Sequence, residues 1–208
     1  MKKLIPEIIK RLEEVYPNAQ CALTHENPFQ LLTATILSAQ CTDERVNIVT
    51  QTLFKKYRTP LDFTLVPAEE LEHDIYSTGF YKAKARNIQL CCAQLIERFG
   101  GEIPQTMEEL HSLSGVGRKT ANVVLGNAFG KNEGVTVDTH VTRICNLLGI
   151  VSSTNPEKIE RELMESVPRE KWTMFTHLII SHGRAICIAR RPKCEKCVLS
   201  SLCPSSKV

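Results

Sequence analysis

No apolar run in this 208-residue sequence is long enough to cross a bilayer, which excludes a helical membrane span. The opening stretch MKKLIPEIIKRLEE is charged on both sides of its apolar residues. It therefore lacks the uninterrupted apolar core of a signal peptide, and a soluble intracellular protein is expected. Sustained alternation of apolar and polar residues is also missing. The VTV stretch at 135–137 is too brief to build a sheet. There is no GxxxxGK[ST] loop to cradle a nucleotide and no flavin or nicotinamide fingerprint. Surplus charge is small, +3 from 26 Lys plus Arg against 23 Asp plus Glu. That balance permits a nucleic-acid partner without arguing for one.

What remains is helical periodicity, in a chain long enough to bury roughly 70% of its unfolded surface. In YKAKARNIQLCCAQLIERFG, Ile88, Cys91, Cys92, Leu95, Ile96 and Phe99 form one apolar stripe, predicting a helix of about 19 residues. PFQLLTATILSA at 28–39 is apolar on most sides and fits a central helix. Thr106 followed by Glu109 is a capping-box signature for a short helix ending near Leu113. Asn155 with Pro156 starts another helix, and Pro168 lies where it has stopped. A further helix is predicted from Lys171 to Cys187, with Trp172, Phe175, Ile179, Ile180 and Ile186 on its apolar face. The fold class is all-α. Glycines between Gly126 and Gly134 suggest a link between two halves.

The stretch LSGVGRKTA at 113–121 predicts a tight αα joint over Ser114–Gly117 and a second helix from Arg118 to about Phe129. Gly115 and Gly117 permit backbone angles and close approaches closed to other residues, and Val116 plugs the gap between the helices. Amides left bare at the second helix start attract anions, and with no nucleotide loop present a DNA phosphate is the obvious guest. A plain tight turn explains the same residues. Lys119 follows at a position where a helix field disfavours a cation by about 0.3–1 kcal/mol. A free amine is the form able to attack carbon. Asp138, in VTVDTH, reads as a helix cap and as the carboxylate to pair with Lys119, a proton acceptor or a compensating charge.

Nine cysteines, an odd number, sit badly with a secreted disulfide scaffold. Cys21, Cys41, Cys91, Cys92 and Cys145 follow no ligand spacing and read as small buried hydrophobes. Cys187, Cys194, Cys197 and Cys203 are separated by six, two and five residues. Four soft ligands over a compact loop suit zinc or an iron–sulfur cluster, and one C-x2-C pair flanked by single cysteines favours the cubane cluster. Arg190, Arg191 and Lys193 within the loop make a basic lobe suited to phosphates.

Taken together, LSGVGRKTANVV at 113–124, VDTH at 137–140 and the 6-2-5 cysteine spacing resemble the endonuclease III family of helix-hairpin-helix DNA glycosylases and abasic-site lyases, over essentially the whole length. The resemblance implies a two-lobed fold: a helical lobe over 21–130 carrying the hairpin, and a cluster lobe from 1–20 plus 131–208. It implies Lys119 as nucleophile, Asp138 as its partner, and Cys187, Cys194, Cys197 and Cys203 as ligands of one [4Fe–4S] cluster. DNA-binding residues would be Gln40, Phe80, Gly115, Val116, Gly117, Arg118, Arg190, Arg191 and Lys193. Gln40 matches the glutamine that fills the gap left by an extruded base, and Phe80 an apolar wedge. On residues alone, Gln40 reads as a polar helix end and Phe80 as core. The implied partner is double-stranded DNA with damaged pyrimidines or abasic sites, met by a cytoplasmic, nucleoid-associated monomer. Ser114 stands where the family often has proline, and Cys41 where alanine is common. Rival readings are an adenine-mismatch glycosylase of the same fold, a group that generally lacks the lysine, a non-catalytic DNA-binding iron–sulfur protein, and an electron-transfer protein.

Overall fold

Helix starts in this chain are set by short polar residues and prolines. In the computed structural model, which describes residues 2–208, the α-helices are α1 (Ile5–Val15), α2 (Pro28–Leu37), α3 (Asp43–Lys56), α4 (Pro60–Leu65), α5 (Ala68–Ile75), α6 (Tyr81–Phe99), α7 (Met107–His111), α8 (Arg118–Phe129), α9 (Thr139–Leu147), α10 (Pro156–Met164) and α11 (Trp172–Ala185). The fold is all-α, and no strand occurs among the described residues. Asn27, Thr42, Thr59, Thr106, Asp138 and Asn155 each accept a hydrogen bond from an amide in the first turn they cap. Proline occupies the first position of α2, α4 and α10, where its missing N–H costs nothing. Among the described residues no helix is long and apolar enough to cross a membrane.

The chain divides into two compact units, one of residues up to Cys21 with Asn132–Val208, the other Ala22–Lys131. In the Ala22–Lys131 unit α2 is the central element, with nine of its ten residues buried. It packs against α3, α6 and α8, while α4 and α5 lie on α6. Phe63 fills the layer beneath, edge-on to Phe29 and tilted against Tyr57. In the other unit α11 packs between α1 and α9 around Ile8, Leu12, Val141, Ile144, Phe175 and Ile179. Arg11 of α1 donates to the carbonyl of Val198 and the hydroxyl of Ser201, both at 3.0 Å, stitching the first helix to the C-terminal loop.

Five local expectations need correction. Helix α7 stops at His111, because the Ser112 amide is shared between the carbonyls of Glu108 and Glu109 while its hydroxyl donates to Glu109 O at 2.6 Å. The Glu109 carboxylate accepts from the Thr106 hydroxyl, so the reciprocal half of the predicted box goes to a side chain. Helix α8 ends at Phe129 as predicted, capped by Gly130 with φ of 65°, so the link begins after that helix and not at Gly126. On α11 the buried stripe includes Thr176, Leu178 and His182, with Ile180 and Ile186 half-buried; Thr176 satisfies its hydroxyl on the Thr136 carbonyl at 3.2 Å. Of the five cysteines read as buried, Cys91, Cys92 and Cys145 are buried and Cys21 and Cys41 only partly so. Burial pushes the Cys91 and Cys145 thiols up to about 12, which leaves them inert near neutral pH.

Candidate functional site

The joint between α7 and α8 is held to one face of α6. Residues 87, 94 and 98 follow one another at seven and four positions, so they share a helix face. Gln94 accepts from the Ser114 amide at 2.8 Å, and Arg98 donates to the Ser112 hydroxyl at 2.8 Å. A proline at 114 has no N–H to give Gln94, so this chain exchanges a preset angle for a cross-helix bond. Gly115 has φ of 75°, and a β-carbon there would lie 2.9 Å from Asn87 Cβ. Val116 is buried, 5% exposed. Gly117 is different: its φ is −84° and a β-carbon would meet nothing within 4 Å.

The two glycines therefore make separable predictions. Gly115→Ala combines a left-handed backbone with a steric clash, and should cost about 2–4 kcal/mol in urea unfolding. Gly117→Ala should cost at most about 1 kcal/mol, the ordinary preference for glycine over alanine at a helix cap. Gly117 caps α8 without a side-chain acceptor, unlike the caps of α2, α3, α4, α9 and α10. The first turn of α8 thus takes no side-chain bond from its own cap residue, and it carries the positive end of the helix.

Lys119 is exposed in that first turn, with exposed Arg118 before it. Asp138 belongs to the other unit. Its approach, Val135–Val137, is buried, and its Oδ1 accepts from the Val141 amide at 2.8 Å, capping α9. The side chain is half-buried. Cap and accessible carboxylate are thus one group.

Gln40 and Phe80 are the two non-glycine residues with positive φ among the described residues, at 53° and 49°. Phe80 is 66% exposed, which overturns its residue-only reading as core. A bulky residue in the left-handed region is an outlier that persists only where surroundings over-determine it. Neither the strain nor the exposure has a signature in composition or period.

Cys187, Cys194, Cys197 and Cys203 line one cavity of about 240 Å³, together with Arg143, His182 and apolar Ile144, Leu148 and Leu199. Short turns place them: the Cys197 amide donates to Cys194 O and the Cys203 amide to Ser200 O. Among the described residues no three His, Cys, Asp or Glu side chains gather closely enough to hold a single metal ion. Arg143 donates to Cys187 O at 2.6 Å and lies 3.6 Å from its sulfur. His182 Nε2 lies 3.4 Å from Cys197 Sγ, and its Nδ1 3.3 Å from the Tyr16 hydroxyl. Burial, aided by the Arg143 charge, pushes His182 down to about 4, so the ring is neutral near pH 7. Burial raises the Cys187 and Cys197 thiols, and Arg143 opposes it at Cys187. Arg190 and Arg191 are exposed on the loop, whereas Lys193 donates to the Ala185 carbonyl at 3.1 Å, closing the end of α11. Sequence reading passed over Arg143, His182 and Tyr16, which come from three distant segments.

Comparison with known proteins assigns this architecture. Residues 33–169 match the model of the HhH-GPD superfamily base excision DNA repair proteins, and residues 187–203 that of the iron-sulfur binding domain of endonuclease III. Endonuclease III of Synechocystis sp. is 52% identical over 206 residues, covering 99% of this chain and 94% of the relative. A solved non-covalent endonuclease III–DNA complex superposes with a TM-score of 0.95 at 48% identity, covering 100% of this chain and 97% of the other. A trapped endonuclease III–DNA covalent intermediate matches with the same TM-score, identity and coverage. The chain belongs to the endonuclease III family.

Proposed function

We propose that this protein is a base-excision repair DNA glycosylase and abasic-site lyase, which removes oxidised pyrimidines from duplex DNA and cuts the strand through a Schiff base on Lys119. The observation that carries this reading is a lysine in the first turn of a hairpin helix whose cap residue is a glycine with no side-chain acceptor, in a chain of this family. Gly115, Val116, Gly117 and Arg118 would hold one phosphate stretch, and Arg190, Arg191 and Lys193 another. The Lys119 amine attacks C1′ of the everted nucleotide, and the glycosidic C–N bond breaks as the base leaves with the electron pair. The nitrogen loses its proton, and its lone pair then opens the sugar ring: the C1′–O4′ bond breaks, O4′ takes up a proton, and the C1′=Nζ Schiff base forms. Loss of a C2′ proton then expels the 3′ phosphate by β-elimination, and water releases the enzyme. Asp138 takes up a proton or balances positive charge on the sugar. Gln40 fills the space vacated by the base, and Phe80 presses on the duplex beside it.

Cys187, Cys194, Cys197 and Cys203 suit one [4Fe–4S] cluster: four thiols border a cavity with space for a multi-atom guest, and thiolates are the soft ligands such clusters take. Bound, the cluster supplies a four-point anchor for the loop bearing Arg190 and Arg191. Iron and sulfide analysis should give about four of each per chain. Cys197→Ser should lower both, together with the melting temperature and duplex affinity. The bacterial relative supports a cytoplasmic, nucleoid-associated role, and we read the working form as a monomer.

Incubation with a duplex carrying a single oxidised pyrimidine tests the reaction. Free base and a nick bearing an unsaturated 3′ aldehyde are expected together; base release with an intact strand would reject the lyase. Gly117→Ala should weaken duplex binding by about tenfold at nearly unchanged stability, since its added methyl stands where a phosphate would approach.

A further inference from the structure

Lys84, on α6, is only 4% exposed. Its Nζ donates to Leu37 O at 2.7 Å and to Thr78 O at 2.8 Å. Leu37 is the last residue of α2, three residues before Gln40. Thr78 closes the 3-10 turn Tyr76–Thr78, two residues before Phe80. The Lys84 amide also donates to Phe80 O at 3.0 Å. One side chain thus bridges the two segments that lead into Gln40 and Phe80, and its backbone holds the second from behind.

Burying an ammonium is costly unless its donors are filled, and burial pushes this one below its ordinary range, with the nearby Cys41 thiol acting the other way. An apolar side chain would fill the same space on α6 with no such cost. The carbonyl at the end of α2 is a favourable acceptor, because the helix field is negative there. What the cation adds over an apolar residue is a tie between two loops.

We propose that Lys84 is a positioning residue that locks the Gln40 and Phe80 loops into one rigid unit, so that both side chains reach the duplex together when a base is turned out. This rests on the reading of Gln40 and Phe80 given above. A tie of this kind acts on extrusion, and so on lesions still stacked in the helix. An abasic site has no base to unstack and needs the tie less.

The test compares Lys84→Met, Lys84→Arg, Gln40→Ala, Phe80→Ala and their combinations in single-turnover assays, on a duplex with an oxidised pyrimidine and on one with a preformed abasic site. Lys84→Met should slow base release roughly 10–100-fold, in kcat more than in KM, and cleavage at the abasic site by less than about threefold. Lys84→Arg, which keeps charge and donors, should recover most of the loss. Added to the Gln40→Ala/Phe80→Ala pair, Lys84→Met should change the rate by less than about twofold. A full independent loss in that background, or equal loss on both substrates, overturns the role of Lys84. If Lys84→Met does not fold, Lys84→Gln is read by the same two criteria. Unchanged base release in Gln40→Ala and Phe80→Ala would instead overturn the reading of those two side chains.

Discussion

Lys119→Gln should abolish strand cleavage, lowering its single-turnover rate on the order of 10³-fold or more, while duplex binding persists. The magnitude follows from removing a covalent nucleophile, where what remains comes from binding and electrostatics alone. Glutamine is one atom shorter, stays polar, and replaces the attacking amine with an amide whose nitrogen pair is delocalised and not nucleophilic. Lys119 is exposed in the first turn of α8 and is not among the buried residues, so little stability should be lost and the melting temperature should hold. A quench-flow assay on lesion DNA, with binding measured in parallel, separates chemistry from affinity. Retained cleavage would place the nucleophile elsewhere.

Asp138→Asn is expected to have the second largest effect, about 10²–10⁴-fold on base release, the range of a positioned proton acceptor. This substitution is informative because Asp138 has two jobs. Its Oδ1 caps α9 through the Val141 amide at 2.8 Å, and asparagine caps about as well as aspartate. The variant should therefore match the parent in urea unfolding to within about 0.5 kcal/mol and still fail in catalysis. Asp138→Ala removes the cap as well, and should lose about 1 kcal/mol of stability besides the activity. Equal activity in Asp138→Asn and the parent would reduce Asp138 to a structural cap.

Helices governed by local rules were legible. The stripe from Ile88 to Phe99 marks α6, and Asn155–Pro156 marks the start of α10, because caps and period act within one or two turns. The joint at Ser114–Gly117 was legible for the same reason, and the four cysteines by spacing alone. What escaped was set by partners distant in sequence. Phe80 looks like core to any count of apolar residues, yet its exposure follows from a left-handed turn fixed by Lys84 and the Thr78 segment. Lys84 itself resembles any other cation of the YKAKAR stretch until Leu37, 47 positions away, is seen to accept from it. The end of α8 at Phe129 was legible, whereas a glycine count placing a link from Gly126 overlaps the last turn of that helix, because glycine density carries no information on helix continuity. The cysteine cavity shows the same division: its thiols lie within one short segment, while Arg143, His182 and Tyr16 arrive by tertiary packing.

Borohydride reduction during turnover on lesion DNA, followed by proteolysis and mass mapping of the cross-linked peptide, tests the central claim most directly. The account predicts one stable protein–DNA adduct, carried by the Nζ of Lys119. An adduct on another amine, or none while the strand is cut, would contradict it.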